Sequence, residues 1–444
     1  MVTSNLWLHL SVSTLALGSS WGFTLLQRNN VVLTERRNTW KRNIEPSKIG
    51  VQLRDSVVPE AIEEMSEERR QNLYQSLLRD LQIEGVPLLE CDADAVQTMN
   101  AALWTTMAEV NANDAASSAC LVLEKIPLSA LLAFCEDFTT LKTQQRLITQ
   151  MPELRRLSVS VIGKGVGPAL VIETIDRTEE EMLEKAGRDA IEASLNEEKE
   201  IAAMRSFIDR IVIQEEACPY TKSVDLAATG LEPRGVKPGP VGYRYSSCTD
   251  ACAAVGVFWN YVCELLNKPE EELSTTILSL PGIGYGTTEE SHDRFAAVVE
   301  LISRNLCLFR GDSLFGLVHF HPAYERNRIH PMVMPAYGHL PPRSWMRAML
   351  RLNGNTQEAE TLTDEQLDLS DYQRRTPHTA INMLRVSQLN AAAGAKSIVD
   401  LELENGRVEK ASGITTYSRN AIRLAKIGEE QLRQGLESEL AMQQ

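Results

Sequence analysis

Two histidines that are one residue apart are the first candidates for chemistry in this sequence. His319 and His321 stand in FGLVHFHPAYE, at the end of an apolar run that is typical of a buried strand. Because residues i and i+2 of a strand point to the same face, the two imidazoles are expected to project together. Such a pair could ligate a metal, or one imidazole could act as an acid or base near neutral pH. A purely structural role stays open for both.

Cys218 is a candidate nucleophile or redox thiol. It lies in EEACPYTKSV, at the predicted end of a helix, with Pro219 next and Lys222 four residues further on. A nearby cation lowers the pKa of a thiol and so raises the fraction of the nucleophilic thiolate. A buried, inert cysteine is the alternative. Cys218 is also one of three residues, with Glu325 and His378, that could complete a metal site with the two histidines.

A third segment, DYQRRTPHTAINMLR, could bind an anion. Tyr372, Arg374, Arg375 and His378 surround the start of a helix that the sequence predicts from Pro377, since proline is well tolerated in a first helical turn. Arginine side chains beside the N–H groups of a helix start suit a carboxylate or a phosphate. The alternative is a solvated capping segment without a ligand.

The elements that must position these residues alternate in type from about residue 200 to 395. Strand candidates GYRYSS, STTILSL and the run before His319 are separated by helical patterns. This alternation predicts a layered α/β domain. The glycine-rich stretch between STTILSL and the next helix lacks the spacing of a nucleotide fingerprint, so we interpret it as a turn in which Thr287 or Thr288 caps that helix.

The flanking regions are simpler. Residues 50–199 are predicted to be mainly helical, with two strands around a glycine-rich turn in RRLSVSVIGKGVGPALVIETID and a long helix broken near Asn196. Residues 396–444 are predicted to form a hairpin with Asn405-Gly406 as a two-residue turn, followed by one amphipathic helix over about 414–441.

Composition and charge restrict the partners. The chain has 444 residues and a net charge of −15 at pH 7, so most of its surface would repel nucleic acid and anionic lipid. We therefore predict no nucleic-acid partner, and no membrane span because the longest apolar run is below the roughly 20 residues that a span needs. The eight cysteines have no paired spacing and are predicted to be reduced thiols. No motif identifies a cofactor.

Residues 1–45 are predicted to be a two-part presequence. LWLHLSVSTLAL is typical of the apolar part of a signal peptide, with the small residues Ser20 and Gly22 before Phe23. The following FTLLQRNNVVLTERRNTWKRN is rich in arginine and poor in acidic residues, like a transit peptide. The two parts together resemble the plastid presequence of algae with secondary plastids, which implies the plastid stroma. Simple secretion is the alternative.

Four short motifs then occur in an order that resembles a known family. They are Cys218-Pro219, Thr275-Thr276, His321-Pro322-x-Tyr324 and Arg375-Thr376-Pro377, with Arg385 later. Over residues 200–395 they are similar to the uncharacterised family called domain of unknown function fourteen-fifteen, found in bacteria and photosynthetic eukaryotes. The family has serine at the position of His319, which counts against a metal pair. It has histidine and glutamate at the positions of Asn382 and Val386, so this chain departs from it there.

The resemblance implies a shared site but no particular reaction. We expect an enzyme, or a degenerate one, that acts on a small anionic metabolite, with Cys218 and His321 as catalytic residues. The substrate-binding candidates are Thr276, Tyr324, Tyr372, Arg375 and Arg385. The alternative is a non-catalytic plastid protein that binds a partner through its acidic helices. A thiol-redox protein is a weaker alternative.

Overall fold

The computed structural model of the chain describes residues 67–80, 86–91, 95–163, 167–309, 311, 314–326, 340–393, 399–411 and 413–443. The presequence predicted over residues 1–45 lies outside the described residues.

A four-stranded mixed sheet forms the first part of the described chain. Its strands are β1 (Leu88–Glu90), β2 (Ser117–Val122), β3 (Leu157–Ile162) and β4 (Ala169–Thr174), in the order β1-β2-β4-β3. The antiparallel pairing of β3 with β4 confirms the two predicted strands around the glycine-rich turn. Strands β1 and β2 lie in a region that is predicted to be mainly helical. The sequence does not indicate them, because β1 is only three residues long and SSACLV has no apolar alternation.

A five-stranded sheet forms the second part and confirms the layered α/β prediction. Its strands are β5 (Leu226–Ala227), β6 (Gly239–Tyr245), β7 (Thr275–Ser279), β8 (Phe315–Phe320) and β9 (Ala380–Arg385), in the order β5-β6-β7-β9-β8. Strands β6 and β7 are parallel, whereas β9 is antiparallel to both β7 and β8.

The helix predicted from Pro377 is wrong over its first turns. Residues Ala380–Arg385 instead form β9, and only Val386–Ala393 are helical. AINMLR lies between β7 and β8, so its backbone groups are paired on both edges. Ile381 and Met383 enter the main core, whereas Ala380 packs on the opposite face. The pairing of a central strand therefore overrides the helical tendency of these residues.

Helices cover both faces of the five-stranded sheet and pack on the first sheet. They are α1 (Glu67–Asp80), α2 (Val96–Ala112), α3 (Leu128–Thr143), α4 (Gln145–Gln150), α5 (Glu179–Ser194), α6 (Glu197–Phe207), α7 (Ala251–Asn267), α8 (Glu289–Leu308), α9 (Arg343–Leu352), α10 (Thr356–Thr361), α11 (Asp364–Asp368), α12 (Val386–Ala393), α13 (Ile414–Ile427) and α14 (Glu429–Ala441). The predicted break near Asn196 is confirmed, because Asn196 caps α6. The capping of α8 by Thr288 is also confirmed.

The main core joins the two sheets across the boundary predicted at residue 200. Helix α2 packs on α7, where a Cβ at Gly256 would lie 3.2 Å from the backbone nitrogen of Thr105. Trp104 is fully buried, and its Nε1 donates to Asn305 Oδ1 on α8 at 3.2 Å. Residues of both predicted domains thus share one hydrophobic cluster.

A second cluster covers the opposite face of the five-stranded sheet. Helix α6 continues as a π-helix over Ile208–Gln214, and α14 packs beside it through Leu432 and Leu436. Arg210 clamps Glu439 with two hydrogen bonds of 2.7 and 2.8 Å. The single C-terminal helix predicted over 414–441 is divided into α13 and α14, because Gly428 adopts a φ of 85°. The preceding hairpin of Val399–Glu402 with Val408–Ala411 is confirmed, but its predicted two-residue turn is wrong. The N–H of Leu403 donates to the Arg407 carbonyl, which leaves three residues in the loop, with Gly406 at a φ of 76°.

Candidate functional site

The structure does not bring Cys218 and His321 together. Cys218 is half-buried and lines a pocket with Phe320, whose side chain lies on the same face of the sheet as Ile277. His321 lies on the other face, where its ring stacks on Phe295 of α8 with centroids 5.9 Å apart. The sheet therefore separates the two predicted catalytic residues.

His321 is fully buried, and both of its ring nitrogens are hydrogen-bonded to the backbone. Nδ1 accepts from the N–H of Ala323 at 2.9 Å, so the ring proton is on Nε2, which donates to the Gly284 carbonyl at 3.0 Å. Burial, together with the neighbouring His292, lowers the pKa of His321 to about 3. The imidazole is therefore neutral, and it holds the glycine-rich loop that follows β7.

Two more histidines and a tyrosine surround His321. Its ring centroid lies 5.1 Å from that of His292, a residue that the sequence analysis did not single out. His319 is buried, with its ring 5.6 Å from that of Tyr324. The Phe295 ring lies 6.2 Å from that of His319 and 5.9 Å from that of His321, which confirms the predicted common face of the two histidines. In the described chain, no three His, Cys, Asp or Glu side chains are grouped so that they could hold a metal.

The predicted substrate-binding residues make contacts within the fold. The Arg375 guanidinium donates to the Tyr324 carbonyl at 3.1 Å and lies 4.7 Å from the centre of the Tyr372 ring. Arg385 donates to the carbonyls of Leu265, Lys268 and Leu273, where α7 ends. Thr276 is fully buried. Arg375 precedes a strand rather than the predicted helix, so the expected helix-start anion site is absent there.

A different set of side chains meets on the face of Cys218. His378 Nε2 is 2.8 Å from Ser279 Oγ, and His378 Nδ1 is 2.7 Å from Glu200 Oε2. All three residues are buried, with exposed fractions of 1% for Ser279, 5% for His378 and 4% for Glu200. A hydroxyl, an imidazole and a carboxylate are thus joined in one hydrogen-bonded chain.

The position of the ring proton decides the role of His378. His378 Nδ1 has two neighbours, Glu200 Oε2 at 2.7 Å and the side-chain nitrogen of Gln443 at 2.8 Å. The tautomer with the proton on Nδ1 donates to the carboxylate and leaves Nε2 to accept from the Ser279 hydroxyl. Glu200 is in the first turn of α6, where the helix dipole favours a negative charge. Its Oε2 also accepts from the side-chain amide of Gln443, close to the end of α14. In that tautomer His378 is oriented as a base toward Ser279.

Each member of the chain is held by a different element. Ser279 ends β7 opposite Tyr245 of β6 and Ala380 of β9. His378 comes two residues before β9, and its carbonyl accepts from the Thr376 hydroxyl at 2.6 Å. The next residue, Thr379, is bonded to the loop after Ser279 through the Ile283 carbonyl at 2.6 Å. These contacts fix the serine and the histidine with respect to each other.

The sequence contained only part of the signal for this site. His378 was a candidate ligand, but Ser279 stands in an ordinary strand pattern, and Glu200 is one of many acidic residues in a charged helix. Ser279 and His378 are 99 positions apart, so no local spacing connects them.

No family model, curated protein or solved structure matches this chain. Within the described ranges, every helix is too short or too polar to cross a membrane.

Proposed function

We propose that the protein is a serine hydrolase that cleaves a carboxylic ester or thioester. The observation that carries this proposal is the hydrogen-bonded chain from Ser279 through His378 to Glu200. A nucleophile bonded to a base that is in turn oriented by a third group is the arrangement that activates a serine hydroxyl. It is identified by geometry and by the roles of the groups, and it occurs on unrelated folds.

The reaction would proceed in two steps. Ser279 Oγ attacks the carbonyl carbon while its proton passes to His378 Nε2, and Glu200 stabilises the imidazolium that forms. His378 then gives this proton to the departing alcohol or thiol, which leaves an acyl ester on Ser279. In the second step a water molecule attacks that ester, His378 accepts its proton and returns it to Ser279, and the carboxylic acid is released.

Ser279 differs from the serine of a nucleophile elbow. It stands in ILSLPG rather than in a G-x-S-x-G motif, and the described non-glycine residues with positive φ are Glu216 and Ala228. Ser279 is thus presented by a regular strand end. Ser279 is 1% exposed, so the proposed reaction requires the surrounding segments to move apart and admit the substrate carbonyl.

The other proposals rest on sequence alone. They are the resemblance of residues 200–395 to the uncharacterised family and the location in the plastid stroma. The expected cluster of Cys218, His321 and Arg375 for a small anionic metabolite lacks a common site, because Cys218 and His321 lie on opposite faces of the sheet. The serine site is therefore the better basis for a catalytic function.

Covalent labelling tests the proposal. A fluorophosphonate probe should modify the wild-type protein once, and peptide mapping should place the adduct on Ser279. The Ser279→Ala variant should not be labelled. Ser303→Ala is the matched control, because Ser303 is equally buried and its hydroxyl donates only to the carbonyl one turn earlier, at 2.9 Å. That variant should react like the wild type.

Two results would reject a serine hydrolase. One is a wild-type protein that stays unlabelled at millimolar probe over hours although circular dichroism shows that it is folded. The other is an adduct that persists in Ser279→Ala. In either case Ser279, His378 and Glu200 form a buried polar contact between α6, β7 and the segment before β9.

A further inference from the structure

We propose that the apolar pocket beside Ser279 binds the acyl group of the ester, so that the preferred substrate carries an uncharged acyl group of about six carbons. This inference rests on the proposed hydrolase function and names its substrate class. The pocket has a volume of about 160 Å³ and lies between the five-stranded sheet, α6 and α12.

The pocket and the serine share one face of β7. Side chains two residues apart in a strand lie on the same face, about 7 Å from each other. Ile277 lines the pocket, and Ser279 follows two residues later on that face. Ser279 is not itself a lining residue, so an acyl group bonded to Ser279 Oγ would pass Ile277 along this face to enter the pocket.

Helix α6, on the opposite wall, also places the pocket next to the serine site. Glu200 and Met204 are four residues apart, so they lie one turn apart on one face of the helix. Both are buried, Glu200 on His378 and Met204 in the pocket wall. The wall of the pocket thus begins one helical turn from the carboxylate of the site.

The chemistry of the walls selects the ligand. Among the lining residues of the described chain none carries a charge, and most are apolar, including Met204, Phe207, Ile277, Phe320, Leu384 and Leu389. An anion would lose its hydration there without a counter-charge, whereas an apolar group gains from burial. An apolar cavity of about 150 Å³ accommodates benzene, so a pocket of this volume suits roughly six carbons.

The far end of the pocket has a small polar group of its own. Thr275 Oγ1 donates to Asn382 Oδ1 at 2.8 Å, and both residues line the pocket. Asn382 is the position at which the resembling family has histidine. The Thr275 hydroxyl is also 2.7 Å from the Met383 carbonyl, so it has partners within the fold and does not require a polar substituent on the acyl group.

A chain-length series tests the pocket in the wild-type protein. The kcat/KM values for p-nitrophenyl acetate, hexanoate and dodecanoate should be highest for hexanoate, by about 10- to 100-fold over acetate, because each buried methylene adds favourable transfer free energy. Dodecanoate should be slower than hexanoate, because its chain exceeds the pocket.

Filling the pocket should remove this preference. Ala392→Phe introduces a ring from α12, whose Ala392 lines the pocket, and should lower kcat/KM for hexanoate at least tenfold while acetate changes less than twofold. Asn390→Phe is the matched control, because Asn390 is exposed on the same helix. It should leave both values unchanged.

Binding to Ser279→Ala separates the two proposals. Calorimetric titration of this variant with ethyl hexanoate should show one site, and the Ala392→Phe change should abolish it. If the wild type hydrolyses acetate and hexanoate equally and Ala392→Phe has no effect, the pocket proposal fails and the hydrolase stands. If the ester binds but is never cleaved, the acyl site stands and the hydrolase fails. The absence of both binding and cleavage rejects both.

Discussion

The two faces of the five-stranded sheet each bury a histidine whose ring nitrogens are both engaged, yet the two residues are suited to different tasks. His321 is bonded to the Ala323 N–H and the Gly284 carbonyl, which are backbone groups that neither titrate nor react. His378 lies between the Ser279 hydroxyl and the Glu200 carboxylate. Burial and residue type are the same on both faces. The chemistry of the partners therefore decides which histidine could be a base and which one holds a loop.

The largest expected difference between the two faces comes from matched substitutions. His378→Gln removes the base and should slow fluorophosphonate labelling by about 10³- to 10⁴-fold. His321→Gln keeps a donor for the Gly284 carbonyl but loses the acceptor for the Ala323 N–H. The His321→Gln variant should be labelled at a rate within threefold of the wild-type rate. Its free energy of unfolding, measured by urea titration, should be lower by roughly 1–2 kcal/mol. Equal losses of labelling in both variants would contradict the division between the faces.

A smaller effect is expected from the carboxylate that orients the base. Glu200→Gln keeps the size of the side chain but presents no negative charge to the imidazolium that forms. Labelling should slow by about 10²- to 10³-fold, with a circular dichroism spectrum like that of the wild type. Asp209→Asn on the following π-helical turn is the control, since the Asp209 side chain is bonded to Gln214 and not to the site. A Glu200→Gln rate equal to the control rate would mean that Glu200 does not assist the base.

The smallest expected effect is a pH dependence of stability on the His321 face. The folded pKa of His321 is lowered from 6.5 to about 3, because burial disfavours the charged ring. The unfolded chain therefore takes up a proton below about pH 6.5 that the folded chain does not, and stability is lost as the pH falls toward 3. This contribution is fully present above pH 6.5.

The slope of this loss is at most about 1.4 kcal/mol per pH unit. Urea titrations between pH 6 and pH 4 should show a steeper decline for the wild type than for His321→Gln, which cannot titrate at this position. Parallel declines for the two proteins would show that His321 is not buried as a neutral ring.

Several features of the fold could be predicted from local patterns because local interactions decide them. The Asn196 cap, the Thr288 cap and the Asn405-Gly406 hairpin each depend on a few neighbouring residues. The common face of His319 and His321 follows from the period of a strand. Gly428 carried a visible signal that the C-terminal helix would break, since glycine adopts the positive φ found there.

Strand β9 shows where local patterns fail. AINMLR is a strand because β7 and β8 pair with it on both edges, and its sequence is equally compatible with a helix. The resemblance-based site is a similar case. Cys218 and His321 were associated by the order of their motifs, but order along the chain does not state on which face of a sheet a side chain lies.

The sequence by itself determined the alternation of helices and strands over residues 200–395, except at β9, and the local caps, because backbone hydrogen bonds and apolar periodicity act over a few residues. Only the tertiary structure decided the site. Glu200, Ser279 and His378 come from a helix, a strand end and a connecting segment, and each lies in an unremarkable local pattern. They meet because the pairing of β7 with β9 and the packing of α6 on the sheet bring distant segments within hydrogen-bonding distance, which no spacing along the chain encodes.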